Sequence, residues 1–142
     1  MTIVAAIDRT DEADEVLAQA TDLADAYDET VHVVHALRTS NFLDIERRSI
    51  KADEGSVPIA EVRETAEEIA EERAEAVLSS FKAVGRVGDP ATIISEYAEE
   101  VDARYIVLGG RKRGPIGKIM FGSTAQDILL DATAPVVVVR VP

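Results

Sequence analysis

The chain has 142 residues, 27 Asp+Glu against 15 Lys+Arg, a formal net charge of −12, 46% hydrophobic residues and no cysteine. That length and apolar content suit one globular domain with a real core rather than a disordered tail. The acidity excludes general nucleic-acid binding, since phosphate backbones would be repelled, and the missing thiols exclude disulfides, thiol catalysis and Cys-based metal clusters.

No run approaches the ~18 apolar residues of a membrane span. From Met1 the chain enters an apolar strand, without the cationic start and long apolar segment of a signal peptide, so a cytoplasmic location is expected. The cations are unusual in kind: Lys51, Lys82, Lys112 and Lys118 are the lysines, and the other eleven are arginines. Few lysines and a carboxylate-rich surface resemble proteins of salt-accumulating organisms such as halophilic archaea, where salt screens the self-repulsion.

Thr2–Ile7 (TIVAAI) is apolar without alternation, which suits a strand buried on both faces, and it ends at Asp8. Thr10 is the expected N-cap of a first helix, with Asp11 and Glu12 in its first turn and Val16, Ala20, Leu23, Ala24 and Tyr27 as its apolar stripe. Val31–Leu37 is the second strand. Residues 38–57 lack clear periodicity and read as a connection with a short helix around Phe42–Arg48. From Ile59 to about Ser80 a helical stripe returns, with Val62, Ala66, Ile69, Ala70, Arg73 and Val77 on one side and mostly glutamate on the other. Phe81–Val87 is a short strand. Gly88-Asp89-Pro90 then gives turn, N-cap and first-turn proline of a helix that buries Ile93, Ile94, Tyr97 and Ala98.

Arg104–Leu108 is the fourth strand. It breaks at Gly109-Gly110 into a segment carrying Arg111, Lys112, Arg113 and Lys118, four cations within eight residues of an acidic chain. The segment closes on Gly122-Ser123-Thr124, where a helix to about Ala132 begins. Glycines allow close backbone approach, a helix N-terminus adds partial positive charge and the side chains add full charge, so a loop of this kind can hold phosphate. Val136–Val141 (VVVVRV) is the fifth strand. The alternation predicts an α/β fold: a single-domain, open, five-stranded parallel sheet with helices on both faces. With strands one and four adjacent where the connections reverse, Asp8 and the basic loop share one crevice, carboxylate toward ribose and loop toward phosphates.

Other motifs are missing. No glycine follows strand one, against a G-x-G-x-x-G dinucleotide site, and Gly117-Lys118 is followed by Ile119 where a Walker loop needs a hydroxyl. His32 and His35 lie three apart on a strand and point to opposite faces, against a shared metal. No general base stands out beside Ser123, which suits hydrogen bonding at a helix N-terminus better than nucleophilic attack.

These residues resemble the universal stress protein family over essentially the whole chain. The resemblance rests on IVAAID, VVHAL, GDPATIISEYAEE, YIVLGG and FGSTAQDILLDATAPVVVVRV. It implies a Rossmann-like sheet of order 3-2-1-4-5 spanning residues 1–142. The family's ATP signature is a glycine, two residues, a second glycine, nine residues, then Gly-Ser/Thr. Gly109 and Gly122-Ser123 fit it, and Lys112 stands where the second glycine belongs. By position the resemblance implies that Asp8, with Ala6 before it, contacts the nucleoside and that backbone near Ala36 lines the base site. Leu108 and Gly109 lead into the phosphate loop, and Gly122, Ser123 and Thr124 bind phosphate. It implies ATP as ligand, or AMP or ADP, with Mg2+ accompanying ATP. It also implies a homodimer and a role in stress responses; a phosphate-type loop with no identifiable general base leads to the expectation of a regulatory protein without efficient catalysis. A non-nucleotide-binding interaction module of this fold and a slow ATPase are the alternatives. The dimer has separate support in Val136–Val141: a β-branched sheet edge invites antiparallel pairing with its own copy.

Overall fold

The computed structural model describes residues 1–8, 13–40, 58–113, 118–120 and 122–141, with 111–113, 118–120 and 141 described by backbone. The elements run β1 (Thr2–Ala6), α1 (Ala13–Tyr27), β2 (Thr30–Leu37), α2 (Ile59–Glu75), β3 (Lys82–Val87), α3 (Pro90–Glu100), β4 (Ala103–Arg113), β5 (Lys118–Met120), α4 (Ser123–Asp131) and β6 (Val136–Val141). β1 pairs in parallel with β2 and β4, β2 with β3, and β4 with β6. The parallel strands therefore run β3-β2-β1-β4-β6, the expected order 3-2-1-4-5 with Val136–Val141 as its fifth member. The Thr10 cap with Asp11 and Glu12, and the short helix around Phe42–Arg48, lie outside the described residues.

The expected break at Gly109-Gly110 is not there. β4 continues through both glycines to Arg113, and β5 returns antiparallel along it, pairing Arg111 with Met120, Lys112 with Ile119 and Arg113 with Lys118. On the other edge Gly109 pairs with Val139, Gly110 with Arg140 and Arg111 with Val141. Ladder bonds on both edges outweigh the ~0.5–1 kcal/mol that a glycine costs inside a strand.

Each face of the sheet buries its own layer. Ile3, Ala5, Ile7, Val31, Val33 and Val107 pack beneath α1 and α2, while Val4, Val34, Val84, Ile106 and Leu108 pack beneath α3 and α4. This double burial is why β1 shows no polar alternation. α1 buries Ala13, Val16, Leu17, Ala20 and Ala24; Leu23 is half-buried, and Tyr27, expected on the stripe, is 42% exposed at the helix end. α2 ends at Glu75, earlier than expected, and its contact is nearly all alanine: Val62, Ala66, Ala70 and Ala74. Small side chains let it lie directly on β3. A Cβ on Gly85 would sit 2.2 Å from the Glu67 amide nitrogen and 2.6 Å from the Arg63 carbonyl oxygen, so only glycine fits there. Past the helix, Leu78 turns into the core and Val77 faces out, where the stripe placed Val77 inside.

Candidate functional site

β1 leads by its crossover to β2 on one side, and β4 leads to β6 on the other, so the connections reverse between β1 and β4. Ligands of open α/β sheets sit beyond the carboxyl ends of the strands at such a point. Ile7 is held on the sheet by its amide donating to the Val34 carbonyl at 3.1 Å, and Asp8 emerges exposed just beyond it. Continuing the registers Ala5↔Val107 and Ala6↔Val34 brings Asp8 level with Gly110 on one neighbour and Ala36 on the other. Ala6 is half-buried, while Ala36 and Leu108 are buried at the top of the core.

α4 links that rim back toward the start of β6, so its N-terminus lies at the carboxyl end of the sheet. Gly122 is its N-cap, with its carbonyl accepting from the Gln126 amide at 3.1 Å. Among the described residues, a Cβ added at Gly122 would meet nothing within 4 Å. Ser123 is exposed and Thr124 half-buried in the first turn. The fold thus brings Ala6, Asp8, Ala36, Leu108, Gly109 and Gly122–Thr124 to one rim. It does not place Lys112 in a loop. Lys112 is paired with Ile119 in the β4–β5 ladder. Because Arg111 pairs Val141 on one edge and Met120 on the other, β5 lies on the β1 side of β4, beyond the end of β1. Residues 114–117, the tip of the expected phosphate loop, lie outside the described residues.

Next along the rim is a clasp that sequence reading missed. Asp89 caps α3, accepting from the Thr92 amide and hydroxyl at 3.2 Å each, and pairs with Arg38 just past β2 at 2.5 Å. The Thr92 amide, then the Arg38 guanidinium, hold the Asp89 carboxyl below its ordinary range. Gly88, at φ 144°, makes the turn, and its amide donates to the Leu37 carbonyl at 3.2 Å. The cap was legible in Gly-Asp-Pro. Arg38 was not, because its partner is 51 residues away.

The histidines do take opposite faces. His32 Nδ1 meets the Tyr97 hydroxyl of α3 at 2.7 Å, and burial, then Lys82, push its pKa down. His35 is buried with Nδ1 at 2.9 Å from the Ile7 carbonyl; that oxygen can only accept, so Nδ1 carries the proton.

The amino ends of the strands are closed differently. Arg104 of β4 donates to Glu29 at 3.0 Å, where the Glu29 side chain is 8% exposed, and its guanidinium lies 4.3 Å over the Tyr27 ring. The Tyr27 and Tyr105 hydroxyls meet at 3.3 Å.

A doubly wound parallel sheet with an acid at the end of its first strand and a glycine-capped helix across the switch point defines a Rossmann-like α/β protein. The family model for the Universal stress protein family matches residues 1–140, and the chain belongs to that family. A universal stress protein structure from Archaeoglobus fulgidus is 31% identical, with 98% of each chain covered and a TM-score of 0.63. Another from that organism, solved in complex with dAMP, is 27% identical over 98% of this chain and 97% of that one, at TM-score 0.58. The stress response protein NhaX of Bacillus subtilis is 28% identical over 97% of this chain and 96% of its own length.

Proposed function

We propose that this chain is an adenine-nucleotide-binding regulatory protein of the stress response, a cytoplasmic homodimer of a single domain over residues 1–142, without efficient catalysis. One observation carries the reading: the N-terminus of α4 meets no neighbour at Gly122 among the described residues, on the same rim as Asp8. The Archaeoglobus fulgidus relative solved with dAMP supports it. Asp8 accepts from the ribose hydroxyls, and backbone near Ala6 and Ala36 borders the base. Leu108 and Gly109 floor the crevice. The amides of Gly122, Ser123 and Thr124 and the Ser123 hydroxyl bind phosphate at the helix start. Mg2+ accompanies ATP, and AMP or ADP fills the same site without it.

The role proposed is binding and signalling. β6 is the sheet's outer parallel strand and pairs with β4 on one edge; antiparallel pairing with its copy covers the other. Salt-dependent stability follows from the charge of −12.

Calorimetry with ATP and magnesium, and with AMP, in high salt tests the reading. Saturable heat with a matching rise in Tm is the expected result, and neither heat nor shift with either nucleotide contradicts it. A second reading has its own observation: Lys112 lies in a paired strand, where a nucleotide loop needs an exposed glycine. On that reading the protein is an interaction module without ligand, and Lys112→Gly creates nucleotide affinity that the parent lacks.

A further inference from the structure

The sequence holds no cysteine and no tryptophan, and its three tyrosines are Tyr27, Tyr97 and Tyr105. Methionine is oxidised by oxygen transfer, a two-electron step. A one-electron oxidant acting on this chain therefore finds tyrosine as its natural electron donor. Two of the three tyrosines touch, though 78 residues separate them in sequence. Their hydroxyl oxygens are 3.3 Å apart while their ring centroids are 5.8 Å apart at 51°. The rings therefore converge at their hydroxyl ends, where the ortho carbons lie. Tyr27 is 42% exposed and open to an oxidant. Arg104 holds its ring from above at 4.3 Å and is itself fixed by Glu29 at 3.0 Å. Tyr97 differs in exposure and in partner: it is 4% exposed and its hydroxyl faces His32 at 2.7 Å, with no second tyrosine against it.

We propose that Tyr27 and Tyr105 are an oxidative cross-linking site, which a one-electron oxidant of the haem-peroxidase or trivalent-ruthenium class converts to an intramolecular dityrosine. Each phenol gives one electron to the oxidant and one proton to water, leaving two phenoxyl radicals. One carbon–carbon bond forms between the carbons ortho to the hydroxyls. The hydrogens on those two carbons then move to the oxygens, and both rings regain aromaticity. The net change is two electrons to the oxidant, two protons to solvent and a chain two hydrogens lighter. Holding both rings in contact makes the coupling effectively unimolecular, so it outruns collision between chains. The bond ties the end of α1 to the foot of β4, at the opposite end of the sheet from the nucleotide rim, and independently of what that rim binds.

The test is photo-oxidation of the full chain with tris(bipyridyl)ruthenium(II) and persulfate, read by intact mass, dityrosine fluorescence and peptide mapping. The expected product is a monomeric chain two hydrogens lighter, its cross-link joining the peptides of Tyr27 and Tyr105, in a yield independent of protein concentration. Tyr27→Phe and Tyr105→Phe each lower that yield at least about tenfold, and Tyr97→Phe leaves it in place. Circular dichroism of each variant checks folding, and urea-unfolded wild type, with the pair dispersed, loses the intramolecular product. No product, a cross-link mapped to Tyr97, a yield that rises with concentration, or an undiminished yield in Tyr105→Phe overturns the proposal.

Discussion

The two ends of the sheet are built to opposite rules. At the amino ends the chain closes on itself: Arg104 pairs with a nearly buried Glu29, covers Tyr27, and Tyr27 meets Tyr105. At the carboxyl ends Asp8 is exposed, Gly122 has no neighbour within 4 Å of an added Cβ among the described residues, and β4 runs on into a hairpin whose sequence is cationic. The foot spends its charges on holding three elements together, whereas the rim carries an exposed acid and a helix N-terminus. The difference teaches that the ion-paired foot and the proposed nucleotide rim share no residues, so substitutions at the two ends should have separable effects.

The largest effect is expected at the foot. Glu29→Ala leaves Arg104 without its carboxylate in a largely covered place and lowers Tm by roughly 5–10 °C, with nucleotide affinity unchanged. Differential scanning calorimetry and a binding isotherm on the same sample read both quantities. Asp8→Ala is the mirror image: affinity falls at least about tenfold, or roughly 1.4 kcal/mol, with Tm unchanged. Equal losses of affinity in both variants would erase the contrast.

The clasp beside the rim is intermediate, because Asp89 is exposed yet structural. Asp89→Ala removes the α3 cap and lowers Tm by roughly 3 °C. Its carboxyl is held below the ordinary range when folded. Its contribution is therefore complete above the unfolded carboxyl pKa and disappears as pH falls through the folded one. The Tm gap between wild type and variant should accordingly close below about pH 4, near the ordinary Asp value. A gap that persists there would mean that the cap acts without its charge. The smallest effect concerns His32, whose pKa burial lowers. The unfolded chain then binds the proton more readily, so stability is complete above about pH 6.5 and declines as pH falls below it. His32→Gln should flatten that segment of the Tm–pH curve.

What the sequence made legible is what neighbouring residues decide. The unbroken apolar runs of β1 and β6, the Asp89-Pro90 start of α3 and the acid at the end of β1 could all be read locally. What it hid depends on residues far apart. β4 runs through Gly109-Gly110 because Val139, Arg140 and Val141 pair with it from the chain's end, and Lys118–Met120 return along its other edge. Periodicity put Tyr27 inside α1, but its ring sits on the surface between Arg104 and Tyr105, both more than 70 residues on. Glu29 and Arg104 gave no local sign of partnership either, being 75 residues apart. The candidate site was legible as a set of residues on one rim. Its hairpin was not, because basic residues flanked by glycine carry no period that separates strand from loop.

The claim that the rim binds an adenine nucleotide is tested most directly by filling the space at Gly122. The Cβ of a valine there meets no atom of the described residues, so Gly122→Val should keep the wild-type Tm within about 2 °C, since only a weak cap is altered. Calorimetric titration with AMP and with ATP and magnesium should then show binding by wild type and at least about a hundredfold weaker binding by the variant, as its side chain occupies the phosphate position. Equal affinity in the two proteins would contradict the account.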